Sequence, residues 1–160
     1  MILDKMKTER LSIRRFHLLD LQDLFEMTSN EQVVKSTGLR SPLDLNTTKI
    51  RLESWCHDPE VWAIEYCVEF KVVGWIMLKK TTCDDPELGY MLAQSYWGMG
   101  IASEACRALL SFARESSFKR VIAKTDRTNH ASINVLKKLG MSENSDSNNE
   151  SEGLLFELFI

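Results

Sequence analysis

The stretch Gln94-Ser95-Tyr96-Trp97-Gly98-Met99-Gly100-Ile101-Ala102-Ser103-Glu104-Ala105 sets two glycines directly before a run of helix-forming residues. Small residues let a ligand approach the main chain. The first amides of a helix have no intrahelical partner and sit at the positive end of its dipole, so Gly98 to Ser103 could cradle a phosphate. The same letters also describe a plain turn with two glycines. Two familiar phosphate loops do not match: Ser103 stands where GxGxxG needs its third glycine, and GxxxxGK[ST] is absent. Metal chemistry has no such footing, because His17, His57 and His130 form no HxxxH or His/Cys cluster, and no metal is expected.

The elements that must position this loop can be read from periodicity. Arg10 to Phe16 alternates, with Leu11 and Ile13 on one face, and reads as a first strand. Asp20 is expected to cap a helix whose stripe is Leu21, Leu24, Phe25 and Thr28, with Asp23 favourably placed in the first turn. Asn46 is expected to cap a second helix carrying Ile50 and Trp55. Two antiparallel strands follow, linked near Glu69 to Lys71: Trp62, Ile64, Tyr66 and Val68 share one face of the first, and Val72, Gly74, Ile76 and Leu78 one face of the second. Thr81 to Pro86 is a turn and Glu87 to Ala93 a strand. Ala102, Ala105, Cys106, Leu109, Phe112 and Ala113 then form a wide helical stripe.

Lys119 to Asp126 reads as the next strand, so strand, helix and strand make a right-handed parallel crossover. Asn129 to Leu139 is a helix closed by Gly140, Ser142 to Ser151 a polar acidic loop, and Leu154 to Ile160 a last apolar strand. The expected fold is a single α/β domain over residues 1–160, with a mostly antiparallel sheet flanked by helices and one parallel crossover at the glycine loop.

In order and letters the loop resembles the acyl-CoA motif (Q/R)xxGx(G/A) of the GNAT superfamily of N-acetyltransferases, with Trp97, Gly100 and Ala102 at its three defined places. Trp97 replaces the usual Gln or Arg, and Tyr96-Trp97-Gly98-Met99-Gly100-Ile101-Ala102-Ser103-Glu104-Ala105 is similar to the Tyr-Trp-Gly-x-Gly-x-Ala-x-Glu-Ala run of the ribosomal-protein N-acetyltransferase branch. Met99 stands where a Lys is frequent. Asn129 to Met141 resembles the family's NxxSxxxxxKxGF helix, with Met141 in place of Phe, and Thr8-Glu9-Arg10-Leu11-Ser12-Ile13-Arg14 resembles the branch's T-x-R-L-x-L-R opening. The likeness is weakest from Ser142 onward.

The resemblance implies a GNAT-like fold and an acetyl-CoA-dependent N-acetyltransferase that works by direct attack in a ternary complex, without a nucleophilic cysteine. It implies that pantetheine enters where the strand before the loop splays from its parallel neighbour, pairing with backbone groups of Met91, Leu92 and Ala93. The pyrophosphate would lie on the amides of Gly98 to Ser103, Asn129 would contact the pantetheine arm, and an amide near Met91 or Leu92 would hold the oxyanion. By the same likeness Glu87 is the leading general base, with Glu65 and acids of the late loop as rivals, and Ser132 protonates the departing thiolate. Tyr90, Trp55, Trp62 and Trp75 could line an acceptor groove or simply fill the core. Family members are often paired, which leaves a homodimer open.

An amine attacks a thioester only when neutral. Lysine titrates near about 10.4 and an α-amino group near roughly 7.7 to 8.0, which favours a protein or peptide N-terminus as acceptor. A small amine (polyamine, amino acid or antibiotic), or a silent CoA-binding module, are the alternatives.

Composition narrows the classes further. With 160 residues, seven Gly, three Pro and 44% hydrophobic residues, collagen-like and disordered chains are excluded. A net charge of −3 does not suit a duplex nucleic-acid binder. The longest apolar run, Val72 to Leu78, is too short for a membrane span. The opening Met1 to Lys7 lacks the apolar segment of a secretory signal, so cytoplasmic residence is expected, with Cys56, Cys67, Cys83 and Cys106 as thiols. Charge is segregated. Lys119, Arg120, Lys124, Arg127, Lys137 and Lys138 face only Asp126 in their segment and could steer an anionic cofactor, whereas Glu143 to Ile160 holds acids and no base and could steer a cationic amine.

Overall fold

A computed structural model describes residues 3–37, 39–147 and 153–160. The described strands form one sheet in the order β1-β2-β3-β4-β5-β6-β8-β7, and every neighbouring pair is antiparallel except β5 with β6. The expected fold class is the one observed. The strands are β1 (Lys5–Lys7), β2 (Leu11–Arg14), β3 (Val61–Tyr66), β4 (Lys71–Lys79), β5 (Glu87–Leu92), β6 (Arg120–Thr125), β7 (Ser142–Glu143) and β8 (Leu154–Phe159). Helices α1 (Leu21–Thr28), α2 (Glu31–Lys35) and α3 (Leu45–His57) cover one face, and α4 (Ile101–Arg114) and α5 (His130–Lys138) the other.

Capping differs from expectation in two places. Asp20 precedes α1 but makes no side-chain cap; its carboxylate accepts from the His17 amide at 2.8 Å and pairs with the Arg14 guanidinium at 2.9 and 3.0 Å, a stronger partner than a helix amide. Asp23 instead ties α1 to the sheet by accepting from the Val72 amide at 3.0 Å. In α3 the cap is Asp44, which accepts from Thr47 at 2.7 Å, and Asn46 lies inside the first turn. Ile50 is 61% exposed. The buried stripe is Thr48, Leu52 and Trp55, spaced i, i+4, i+7.

The central strands are covered on both sides, so simple alternation misplaces some residues. A register shift after Ile64 leaves Val73 unpaired in the β3–β4 ladder. Such a bulge reverses which face the following residues meet. Val73 accordingly joins Ile76 and Leu78 in the core under α4 and α5, while Val72 joins Trp75 in the core under α1 and α3. Val68 falls in the turn after β3 and is exposed rather than sharing the Trp62 face. Gly74 is where β4 passes closest to β5: a Cβ there would lie 2.2 Å from the Met91 carbonyl oxygen, so any larger residue would push β5 aside.

The crossover is more regular. Ile101, Ala105, Cys106, Leu109 and Ala113 of α4 are wholly buried against the sheet, and each large aliphatic among them contributes about 1.5–3 kcal/mol on burial. α5 ends as anticipated at Gly140, whose amide donates to Lys137 while that of Met141 donates to Leu136. Of the expected late loop, Ser142–Glu143 is a short strand on β8 and Ser145–Ser147 a single helical turn; 148–151 lie outside the described residues, as does the start of the N-terminal segment at Met1 and Ile2.

Candidate functional site

The parallel pair β5–β6 is joined at one position only, Glu87 opposite Ile122, with the Ile122 amide on the Pro86 carbonyl at 3.0 Å. Beyond it the strands part. A cavity of about 1010 Å³ occupies the gap and is lined from both faces of the sheet: Leu92, Ala102 and Leu136 from one core, Trp55, Trp75 and Met91 from the other. It runs through the sheet.

Strand geometry decides which main-chain groups of β5 look into this gap. Main-chain groups of alternate residues point to opposite neighbours. The Pro86 carbonyl bonds β6 and the Ala93 amide bonds Val73 of β4 at 2.8 Å, so Tyr90 and Leu92 face the gap and Met91 and Ala93 face β4. The Leu92 carbonyl accepts from the Trp97 indole at 2.9 Å, which leaves the Leu92 amide on the open edge. Trp97 thus does at the strand end what a bare carbonyl would otherwise need solvent for.

The loop turns through a short helical segment, Gln94–Tyr96, and then through Gly98 (φ 75°) and Gly100 (φ 77°). Left-handed backbone of this kind costs other L-residues about 1–2 kcal/mol. Gly100 is the residue before α4 and supplies no side-chain cap, so the amides of Ile101, Ala102 and Ser103 remain open to an anion. The bend is braced from the segment before β2: Arg10 donates to the Met99 carbonyl at 2.9 Å and to Glu104 at 2.7 Å, and Glu104 also accepts from the Arg10 amide and Thr8 hydroxyl. Burial would raise the Glu104 pKa, but these donors outweigh it and hold the carboxyl below its usual range. Arg10, Arg107 and Lys138 rim a smaller cavity of about 400 Å³ beside the bend, with Gly100 and Ser103 in its wall.

Across the gap, the Tyr90 hydroxyl donates to the Ser132 hydroxyl at 3.2 Å, and both line the large cavity. Burial pushes the Tyr90 phenol up to about 12 against the opposing pull of that hydrogen bond, so it is protonated at neutral pH. Asn129 caps α5 by accepting from the Ser132 amide at 3.1 Å and also lines the cavity.

The expected residues therefore divide. Met91, Leu92, Trp97, Gly98, Ala102, Asn129 and Ser132 meet on the cavity wall. Ile101 is buried and offers only its main chain, and the Met99 carbonyl is taken by Arg10. Glu87 lies off the wall, 3.4 Å from Lys124, which lines it. Glu65 is bound to Arg14, and Glu157 of the late segment to Arg120. Among the described residues Asp126 is the one carboxylate on the wall, and hydrogen bonds from the Thr128 side chain and backbone hold its pKa down. Trp55, Trp75 and Tyr90 line the cavity, whereas Trp62 packs in the other core with its indole on the Leu3 carbonyl. Sequence reasoning missed Lys35, Thr37 and Arg51 on the α1–α3 side; Arg51 could have been found as the residue one turn before Trp55.

Residues 10–142 match the acetyltransferase (GNAT) domain family, and the chain belongs to it. It is similar to the "uncharacterized N-acetyltransferase YnaD" of Bacillus subtilis (strain 168), 30% identical over 139 residues that cover 84% of this chain and 80% of that protein. Its fold is that of a GNAT-family acetyltransferase from Bacillus anthracis, at TM-score 0.84 and 24% identity over 97% of this chain and 98% of the other. A ribosomal-protein-S5-alanine acetyltransferase from Vibrio fischeri shares it at TM-score 0.74 and 17% identity, over 97% and 96% of the two chains. The protein is an acetyl-CoA-dependent N-acetyltransferase, and the parted strands, open helix amides and through-going cavity suit a long anionic thioester. Among the described residues no group of three or more His, Cys, Asp or Glu could hold a metal, and no helix is long and apolar enough to cross a membrane.

Proposed function

We propose that the acceptor is the α-amino group at the N-terminus of a protein or peptide, as in the ribosomal-protein branch. One observation carries this reading: the cavity crosses the sheet at Tyr90 to Leu92, so a thioester on the α4–α5 side and an amine on the α1–α3 side meet there. A described wall whose only carboxylate is Asp126, with its pKa held low, also suits an amine that arrives already neutral. An α-amine does so far more often than lysine at neutral pH.

In this mechanism the amides of Gly98 to Ser103 bind the pyrophosphate, and Asn129 and the open edge of β5 orient pantetheine. The amine nitrogen attacks the thioester carbon, and the oxyanion that forms is held by the Leu92 amide. Collapse breaks the carbon–sulfur bond. Ser132 gives the thiolate its proton and regains one from Tyr90, which burial keeps protonated at neutral pH and which takes its proton back from solvent. The proton shed by the new amide nitrogen passes through water to Glu87 at the head of β5, and from there to solvent as Tyr90 is restored. Met91 and Ala93 support the strand through β4 and act on the cofactor only by position.

The test is mass spectrometry of N-terminal peptides after incubation with the protein and acetyl-CoA. One acetyl group should appear on the α-amine and none on lysine side chains; lysine acetylation, or turnover confined to polyamines, would defeat the acceptor assignment.

A further inference from the structure

The α1–α3 side of the cavity carries two cations, Lys35 at the end of α2 and Arg51 on α3. Among the described residues neither is in an ion pair, and the nearby Glu53 is exposed. Arg51 lies over the Trp55 ring at 5.5 Å, with its Nε buried and without a hydrogen-bond partner. Two other arginines stack on rings and are satisfied. Arg15, over Trp62, donates to the Asp58 and Val61 carbonyls; Arg120, over Phe159, pairs with Asp85 and Glu157. Among the described residues Arg51 alone of the three has no oxygen to bind.

A buried charged donor left unpaired is destabilising, and a planar guanidinium stacked on one face offers its edge to a carboxylate. We propose that the acceptor presents a carboxylate near its amine and that Arg51, aided by Lys35, binds it. This rests on reading the cavity as the site of transfer to a peptide N-terminus. Arg51 reaches the transfer point through Trp55, which packs on Trp75 at 5.2 Å, and Trp75 is the cross-strand partner of Met91. Two ring spacings correspond to about two or three extended residues at roughly 3.5 Å each, which places the acid at the second or third residue of the peptide. Lys35 and Arg51 also repel a polyamine.

The experiment compares acetylation of Ala-Glu-Ala, Ala-Gln-Ala and Ala-Lys-Ala, all as C-terminal amides, by release of CoA. For the wild type, kcat/KM should fall in that order, with Glu over Lys by about tenfold to a hundredfold, the range expected of a charged hydrogen bond. Arg51→Gln should flatten the series and Arg51→Glu reverse it, with CoA affinity measured by calorimetry as the check on folding. Equal kcat/KM for the three peptides in the wild type overturns the inference whatever the variants do, and so does an unchanged order in a folded Arg51→Glu. If no peptide is acetylated, alanine and alaninamide take their place. Faster turnover of alanine would then sink the peptide reading and keep the carboxylate, while equal rates would sink the carboxylate too.

Discussion

The two arms of the cavity are built by different means. In the proposed reading the cofactor arm rests on main-chain groups of the bend at Gly98 to Ser103 and of the β5 edge, with the Asn129 and Ser132 side chains of the α5 entrance brought beside them by the crossover. The acceptor arm consists of side chains, Lys35, Arg51, Trp55 and Trp75, drawn from three separate elements. A site made from backbone demands particular residue types at fixed spacing, because glycine adopts the left-handed turn most readily and a helix start leaves its first amides unpaired. A site made from side chains asks only that distant segments end up close, and it can be rewritten one residue at a time. In the proposed reading the first kind fixes the reaction and the second selects the substrate.

Substitutions can break or sharpen this contrast. The largest effect is expected from Gly100→Val, which forces a β-branched residue to φ 77° and re-aims the open amides. CoA affinity by calorimetry should fall by about tenfold or more, with roughly 1–2 kcal/mol lost in stability. An unchanged dissociation constant would break the main-chain account of the cofactor arm.

Tyr90→Phe sits where the arms meet. It should lower kcat about tenfold at constant KM for acetyl-CoA. Burial raises the folded-state pKa of this phenol from 10 to about 12, so the stability it confers is complete below pH 10 and declines as pH rises toward 12. A melting series from pH 9 to 12 should be less steep in the variant.

Smaller and confined to stability is Glu104→Gln. The carboxyl is held below its ordinary value of 4.5 by Thr8 and Arg10, so its contribution is present above that pH and is lost as pH falls through the lower folded-state value. The variant should melt lower at pH 7 by about 1 kcal/mol and lose less on acidification below pH 4.5. Of similar size in stability is Asn129→Ala, which removes the α5 cap for about 1 kcal/mol, a drop of roughly 2–4 °C in Tm, and should also weaken CoA binding measured by calorimetry.

The same division explains what could be read before any coordinates. The crossover, the α4 stripe and the Gly140 terminus were legible because periodicity and capping chemistry act within one element. Asp20 was not, since its carboxylate is claimed by Arg14 of β2, a tertiary partner that outbids a helix amide. The Val72 face was misread because a single extra residue at Val73 resets the alternation. The outward-facing groups of β5 depend on which neighbour each residue bonds, so it appears only once the ladder is known that, of the expected Met91, Leu92 and Ala93, only Leu92 faces the gap, together with Tyr90. For Arg51 the place one turn before Trp55 is legible in the sequence, but the missing partner of its side chain is a fact about space.

In the proposed binding mode the lone rung between β5 and β6 would make the bound thioester part of the architecture. Five strands stand on one side of that rung and three on the other, and pantetheine amides lying along β5 as proposed would act as a stitch across the seam. Saturation with CoA should therefore slow deuterium uptake at Tyr90 and Leu92 while leaving β3 and β4 unaltered, and at a hundredfold excess over Kd should add about 2.7 kcal/mol against heat. Product departure would then reopen the seam at each turnover, and the tightness of this stitch would bear directly on how fast the enzyme can cycle.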